Sequence, residues 1–95
     1  MNKPELVTAI SQNAGISRRD AENALRAALE AISGALEQGE PVKLSGFGSF
    51  ETRLRPAKPG RDPRTKETIE IPAAQVPVFR PSKTLKDRVD GKEKE

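Results

Sequence analysis

Residues 55–66 of this chain read Arg-Pro-Ala-Lys-Pro-Gly-Arg-Asp-Pro-Arg-Thr-Lys. Apart from its prolines, Ala57 is the only apolar residue in the stretch, so the stretch cannot anchor a hydrophobic core. Prolines lack the N–H that a β-ladder needs, so any strand here lies at a sheet edge. We predict a β-ribbon whose far half leaves the body of the protein. A disordered basic loop is the alternative, because a free two-stranded ribbon is only marginally stable.

The segments that flank the ribbon alternate apolar and polar residues, as β-strands do. Residues 42–45 and 50–54 alternate in this way on either side of a Gly46-Phe47-Gly48 turn, which predicts a hairpin feeding a longer strand. After the ribbon, residues 69–71 and 76–79 supply the returning strand. Aromatic side chains bury the most area, so we assign to the core the three aromatic residues of the chain, Phe47, Phe50 and Phe79.

The residues before this sheet predict two helices joined as a hairpin. Pro4 suits the first turn of a helix, and Gly15 ends that helix. Ser17 caps the next helix, with Asp20 at the capping-box position, and Gly39 terminates it. A DNA-reading helix-turn-helix is less favoured, because the second helix is Ala-rich and acidic. The apolar stripe of this helix indicates a core or a dimer interface. The stripe contains Ala21, Leu25, Ala28, Leu29, Ile32 and Leu36.

These elements predict an α+β fold in one domain spanning residues 1–95. The hydrophobic fraction is only 34%, so a chain with a projecting arm needs a second copy to complete its core. The predicted parts are a helical dimerisation part at 1–40, a sheet at 41–81 with its arm at about 53–68, a short helix at 82–90 capped by Ser82, and a tail at 91–95. The predicted dimer core consists of Leu29, Ile32, Leu36, Leu44, Phe47, Phe50 and Phe79.

Positive charge is concentrated in the arm. Residues 53–66 contain six basic residues and one acidic residue, whereas residues 1–52 contain five basic and seven acidic residues. Such a concentration indicates a polyanion-binding site on an otherwise ordinary domain. The arm has no aromatic residue, which argues against single-stranded RNA as the target, since that is usually read by stacking.

Several kinds of chemistry are not expected. The chain has no Cys and no His, so thiol or imidazole nucleophile–base pairs and ordinary zinc sites are not available. Phosphate-binding glycine motifs and paired carboxylates are also missing from the sequence. We expect no enzyme activity, no metal, no cofactor and no small-molecule substrate. The first ten residues lack an apolar core segment, so an intracellular protein without a membrane partner is expected.

The combination of features resembles the bacterial histone-like HU and integration host factor family. The resemblance runs from residue 1 to about 90, and its matching stretches are Met1-Asn2-Lys3, Gly46-Phe47-Gly48-Ser49-Phe50, Gly60-Arg61-Asp62-Pro63-Arg64-Thr65, Ile69-Glu70-Ile71-Pro72-Ala73 and Phe79-Arg80-Pro81. It implies an intertwined dimer with a helical base and two β-arms, which binds the DNA minor groove and inserts a proline between base pairs. By position, that proline is Pro63.

Together, charge and resemblance assign the DNA-binding residues as Arg53, Arg55, Lys58, Arg61, Pro63, Arg64, Lys66, Arg80, Lys83 and Lys86. A plain turn proline and solvated surface charges are the alternatives for Pro63 and the last three cations. Two departures from the family pattern affect the arm tip. Asp62 replaces the usual Asn and needs Arg61 or Arg64 beside it, and Lys66 replaces a Gly although it resists a positive φ.

The expected function is architectural. The chain is predicted to bind, bend and compact double-stranded DNA in the nucleoid of the bacterial cytoplasm, with little sequence specificity. A homodimer is expected, and a heterodimer with a homologous chain is left open. A site-specific bender of the integration host factor type and a dimeric basic-arm scaffold for RNA or acidic proteins are the alternatives.

Overall fold

A computed structural model describes residues 1–91 of the chain. Within them lie three helices and five strands, in the order α1 (Lys3–Ala14), α2 (Arg18–Glu37), β1 (Val42–Leu44), β2 (Gly48–Arg55), β3 (Lys58–Arg61), β4 (Thr68–Ile71), β5 (Ala74–Pro81) and α3 (Lys83–Asp90). The chain divides into two compact units, Met1–Ala35 and the part from Leu36 onward. The single-domain organisation stays a prediction, and the tail predicted at 91–95 lies, except for Gly91, outside the described residues.

In the first unit, the predicted start and end signals of the helices are confirmed. Pro4 lies in the first turn of α1, and Gly15 ends the helix at a φ of 67°, with its N–H donating to the Ser11 carbonyl. Ser17 Oγ accepts a hydrogen bond from the Asp20 N–H at 3.0 Å, as an N-cap does. The cap of α1 is Asn2, whose Oδ1 accepts from the Glu5 N–H at 3.0 Å, a role that the sequence analysis did not assign.

The second unit contains an antiparallel sheet in the order β1-β2-β5 and a separate two-stranded sheet, β3-β4. The turn between β1 and β2 is closed by a hydrogen bond of 3.0 Å from the Phe47 N–H to the Leu44 carbonyl. In the register, Phe50 pairs with Val42 on one side and with Phe79 on the other. The predicted α+β fold with an antiparallel sheet is therefore confirmed.

Close packing at the start of β2 explains the Gly-Phe-Gly turn. A Cβ on Gly48 would lie 2.6 Å from the Arg80 carbonyl oxygen and 2.7 Å from the Phe79 ring, so only glycine fits there. The Phe79 ring lies between those of Phe47 and Phe50, at centroid distances of 5.4 and 4.9 Å. These separations are typical of favourable aromatic pairs.

The short helix α3 begins and ends where the sequence predicts. Ser82 Oγ accepts a hydrogen bond from the Leu85 N–H at 3.1 Å, and Gly91 ends the helix in the left-handed conformation. The Ser82 N–H also donates to the Phe47 carbonyl at 2.9 Å. The start of α3 is thereby tied to the turn between β1 and β2.

One chain buries very little apolar surface. Among residues 1–91, the buried hydrophobic side chains are Val7 and Ala21 alone. Leu29 is 51% exposed and Phe47 is 47% exposed, although both are large and apolar. The residues predicted for the dimer core are all exposed or half-buried in the single chain. A folded chain with so small a core needs further burial to be stable.

Candidate nucleic-acid interface

The two faces of the β1-β2-β5 sheet have opposite chemistry. Side chains that pair across an antiparallel register share a face, and successive residues alternate between faces. One face is largely apolar and carries Val42, Leu44, Phe50, Leu54, Pro77 and Phe79. The opposite face, called the basic face below, carries four cations, Lys43, Arg53, Arg55 and Arg80, together with Ser49, Glu51, Ala74, Val76 and Val78. The sheet therefore has one face suited to packing and one suited to an anion.

The ribbon is a separate ladder. The β2-β5 pairing ends at Arg55 opposite Ala74, and the β3-β4 pairing begins at Lys58 opposite Ile71. Between these pairs, Pro56-Ala57 lies on one strand and Pro72-Ala73 on the other. Proline cannot donate to a ladder, and each strand has one proline in this two-residue gap, so the hydrogen-bonded sheet is interrupted there. The ribbon predicted from the sequence is confirmed as β3 and β4.

Packing across the ribbon depends on a glycine. Gly60 pairs with Ile69, and a Cβ on Gly60 would lie 2.6 Å from Ile71 Cδ1. The side chain of Ile71 therefore lies over the backbone of Gly60. Gly60 belongs to one of the stretches that carry the family resemblance. Its packing role was not predicted, because that role depends on a strand register that the sequence does not fix.

The tip of the ribbon is held by Asp62. Its backbone N–H donates to the Glu67 carbonyl at 2.9 Å, and its carbonyl accepts from the Lys66 N–H at 2.7 Å. Its side-chain Oδ1 accepts from the Arg64 N–H at 2.9 Å, which forms an Asx turn around Pro63. The partner of the carboxylate is thus the backbone of Arg64, and Pro63 itself is exposed.

Lys66 adopts the conformation that glycine favours. Its φ is 63°, and it is the one residue other than glycine with a positive φ among residues 1–91. A side chain in this region costs about 1 kcal/mol or more. The position where the family often has Gly thus has a positive φ in this chain too, and the chain places a cation there despite that cost.

The basic side chains of the ribbon and its base have no carboxylate partner within residues 1–91. The ion pairs found among those residues involve other cations. All the cations predicted in this region are exposed, namely Arg53, Arg55, Lys58, Arg61, Arg64 and Lys66. A polyanion can therefore approach these charges without displacing a carboxylate.

Two of the three remaining predicted cations do have carboxylate partners. Arg80 Nε forms an ion pair with Glu51 Oε1 on the basic face of the sheet. Lys83 Nζ donates to Asp87 Oδ2 at 2.8 Å across one turn of α3. That hydrogen bond, together with the charge of the carboxylate, raises the pKa of Lys83. Lys86 is exposed.

The roles of Glu51 and Asp87 as ion-pair partners were not predicted from the sequence. Asp87 could have been found from its spacing, because residues four apart on a helix are neighbours. Glu51 could not, because its pairing with Arg80 depends on the register of β2 against β5. In the part of the chain that the structure describes, no cluster of acidic residues could hold a metal ion. No helix in residues 1–91 has the length and apolar character of a membrane span.

Known proteins with similar sequences cover almost the whole chain. A family model described as bacterial DNA-binding protein matches residues 1–90. DNA-binding protein HU of Clostridium pasteurianum is 53% identical over 90 residues, which are 95% of this chain and 99% of that protein. DNA-binding protein HU of Geobacillus stearothermophilus is 49% identical over 89 residues, or 94% and 99% of the two chains.

Solved structures give the same result. The HU chain of an Anabaena HU–DNA cocrystal structure superposes with a TM-score of 0.91 at 47% identity, covering 94% of this chain and 97% of that one. HU from Thermotoga maritima superposes with a TM-score of 0.67 at 35% identity, covering 94% and 98%. On sequence and structure alike, the chain belongs to the bacterial DNA-binding protein family that includes HU.

Proposed function

We propose that this chain is an architectural DNA-binding protein of the HU type, which dimerises, binds duplex DNA with little sequence preference and bends it. The observation that carries the proposal is the ribbon, a separate ladder with an exposed proline at its tip and cations that have no carboxylate partner among residues 1–91. The likeness to an HU chain crystallised with DNA supports it. The role is non-catalytic and nucleoid-associated.

The cations supply most of the affinity. Each Lys or Arg that meets a phosphate releases condensed counterions, and this release does not depend on base sequence. The DNA-binding set is Arg53, Arg55, Lys58, Arg61, Arg64 and Lys66 on the ribbon and its base, with Arg80, Lys83 and Lys86 beyond it. Binding is therefore steeply salt-dependent and tolerant of sequence, as an HU-type role requires.

Pro63 supplies the bend. It is exposed in a turn that Asp62 fixes through the Arg64 N–H, so a rigid apolar ring is presented without an unsatisfied donor. Inserting such a ring between base pairs unstacks one step and kinks the duplex. Smooth bending of a site costs about 1–6 kcal/mol, which the additional contacts of the bent duplex offset.

Dimerisation completes the core. The residues assigned to the interface are all exposed or half-buried in the single chain, namely Leu29, Ile32, Leu36, Leu44, Phe47, Phe50 and Phe79. Burying one large apolar side chain contributes about 1.5–3 kcal/mol. The proposed assembly is a homodimer forming one continuous domain, with one ribbon from each chain.

The test compares wild type with Pro63→Ala on a fluorescent duplex, with Pro41→Ala as the control for loss of an exposed proline elsewhere. We expect wild-type affinity to fall steeply with salt. We expect Pro63→Ala to reduce the bend measured by energy transfer between the duplex ends, with little change in salt slope. Salt-independent binding, or equal bending by Pro63→Ala and wild type, would contradict the proposal.

Competition experiments separate the alternatives. We expect random and selected duplexes to compete equally, and both to compete better than single-stranded RNA. A large preference for a selected duplex would favour a site-specific bender instead. Preferential binding of RNA or of an acidic protein would favour a basic-arm scaffold.

A further inference from the structure

The ion pair between Glu51 and Arg80 lies on the basic face of the sheet. Arg80 pairs in the register with Ser49, and Glu51 pairs with Val78, so the two charged residues are diagonal neighbours on one face. The Glu51 side chain is 36% exposed and the Arg80 side chain is 67% exposed. Glu51 is the one acidic residue on that face, beside Lys43, Arg53 and Arg55.

We propose that Glu51 is an intramolecular competitor of DNA phosphate for Arg80. This inference rests on the proposed DNA-binding function and deepens it, because it assigns a residue that limits affinity at the same surface. A carboxylate and a phosphate present the same kind of oxygen acceptor to a guanidinium group. Arg80 therefore reaches a phosphate only after its contact with Glu51 is broken or shared.

The competition has a defined effect on salt dependence. Added salt weakens the binding of phosphates to the protein, and it also weakens an exposed ion pair such as this one. As salt rises, Arg80 is released from Glu51 while its attraction to phosphate falls, and the two effects partly cancel. Glu51 therefore lowers affinity most at low salt and makes the dependence of affinity on salt shallower.

A positioning role for Glu51 gives the opposite expectation. If the carboxylate held Arg80 in the orientation that meets phosphate, removing it would weaken binding. The exposure of the Arg80 side chain favours competition, and so does the lack of carboxylate partners for the neighbouring Arg53 and Arg55 in the described part of the chain. A positively charged residue on this surface does not need a carboxylate to be available for binding.

The test is a double-mutant cycle on duplex binding by the full chain, with Glu51→Gln, Arg80→Gln and the double variant. We expect Glu51→Gln to tighten binding about three- to tenfold at low salt, with the gain shrinking as salt rises. In the Arg80→Gln background, we expect Glu51→Gln to change affinity by less than about twofold. Glu70→Gln is the matched control, because Glu70 lies on the ribbon and has no ion pair within residues 1–91.

The outcomes separate this inference from the function on which it rests. Wild type that does not bind duplex DNA overturns the proposed function itself. Wild type that binds, together with Glu51→Gln that binds no more tightly, overturns only the competition. An equal gain in the Arg80→Gln background, or from Glu70→Gln, also overturns it, because the effect is then general repulsion.

A measurement on the unmodified protein covers the case in which a variant misfolds. The side-chain carboxyl carbon of Glu51 and the Nε–H of Arg80 can be followed by NMR as duplex is added. We expect the Glu51 signal to move toward that of an unpaired carboxylate while the Arg80 signal shifts at the same DNA concentration. A Glu51 signal that stays fixed at saturation overturns the competition.

Discussion

The cations at residues 53–66 and those at residues 80–86 differ in the partners that the fold gives them. Among the described residues, the six cations from Arg53 to Lys66 have no carboxylate partner, whereas Arg80 and Lys83 each have one. Both regions contain exposed cations, and the sequence alone does not show which of those cations have a carboxylate partner. Charges without partners attract a polyanion over a longer range, and paired charges act only after an exchange of partners.

We expect the largest effect from removing cations of the ribbon. We expect Arg61→Gln combined with Arg64→Gln and Lys66→Gln to weaken duplex binding about 30- to 100-fold and to lower the salt slope, because each phosphate contact contributes about 0.9 to that slope. Fluorescence anisotropy across a salt series measures both quantities. The control removes three cations of the helical unit, Arg18, Arg19 and Arg26. An equal loss in the control would mean that total charge, not its place, decides binding.

For the free energy of unfolding, we expect a substitution in the sheet to have a larger effect than one in the ribbon. Phe79 lies between two other rings in the sheet, so we expect Phe79→Ala to lower the free energy of unfolding by about 2–3 kcal/mol. Ile69 lies on the ribbon and is 44% exposed, so Ile69→Ala should change it by less than about 0.5 kcal/mol. Urea unfolding at one fixed protein concentration measures both. A large loss in Ile69→Ala would mean that the ribbon belongs to the cooperative core.

The tip offers a smaller test of the ribbon alone. Replacing Lys66 by Gly removes the cost of its positive φ, so we expect the Asp62 amide to exchange about fivefold more slowly than in Lys66→Ala, corresponding to about 1 kcal/mol. Hydrogen exchange followed by NMR gives the rates. Because both variants lack the charge, a difference between them reports the backbone conformation. Equal rates would show that the turn does not limit opening.

The smallest effect concerns Lys83. Its pKa is raised above its ordinary value of 10.5 by the hydrogen bond with Asp87 and by the charge of that carboxylate. The stabilisation is therefore fully present below pH 10.5 and is lost as pH rises through the raised pKa. We expect Asp87→Asn to lower the Lys83 pKa in an NMR titration, with Lys86 as an internal reference. An unchanged Lys83 pKa would mean that this cation is as free as those of the ribbon.

Much of the fold follows from local signals in the sequence. Pro4, Gly15, Ser17, Ser82 and the alternation around the Gly-Phe-Gly turn fix where the elements begin and end, because each acts within a few residues. The ribbon was predictable for a similar reason, since residues 55–66 cannot form a core. The resemblance marked Lys66 as a departure from the family's Gly, but the φ of this residue was not predicted.

The features that were not predicted depend on registers between distant segments. The ion pair of Glu51 with Arg80 and the cover of Ile71 over Gly60 both require knowing which residues of two strands lie opposite. Asp62 shows a finer limit. Its carboxylate was expected to need a guanidinium group, but its partner is the backbone N–H of Arg64, since an Asx turn satisfies the oxygen locally.

The interruption between Arg55 and Lys58 also has a consequence for motion. The two ladders share no hydrogen bond across Pro56-Ala57 and Pro72-Ala73, so the outer one can fray without loosening the inner one. Local opening of this kind requires less free energy than global unfolding. The ribbon can therefore open and close again while the β1-β2-β5 sheet stays folded.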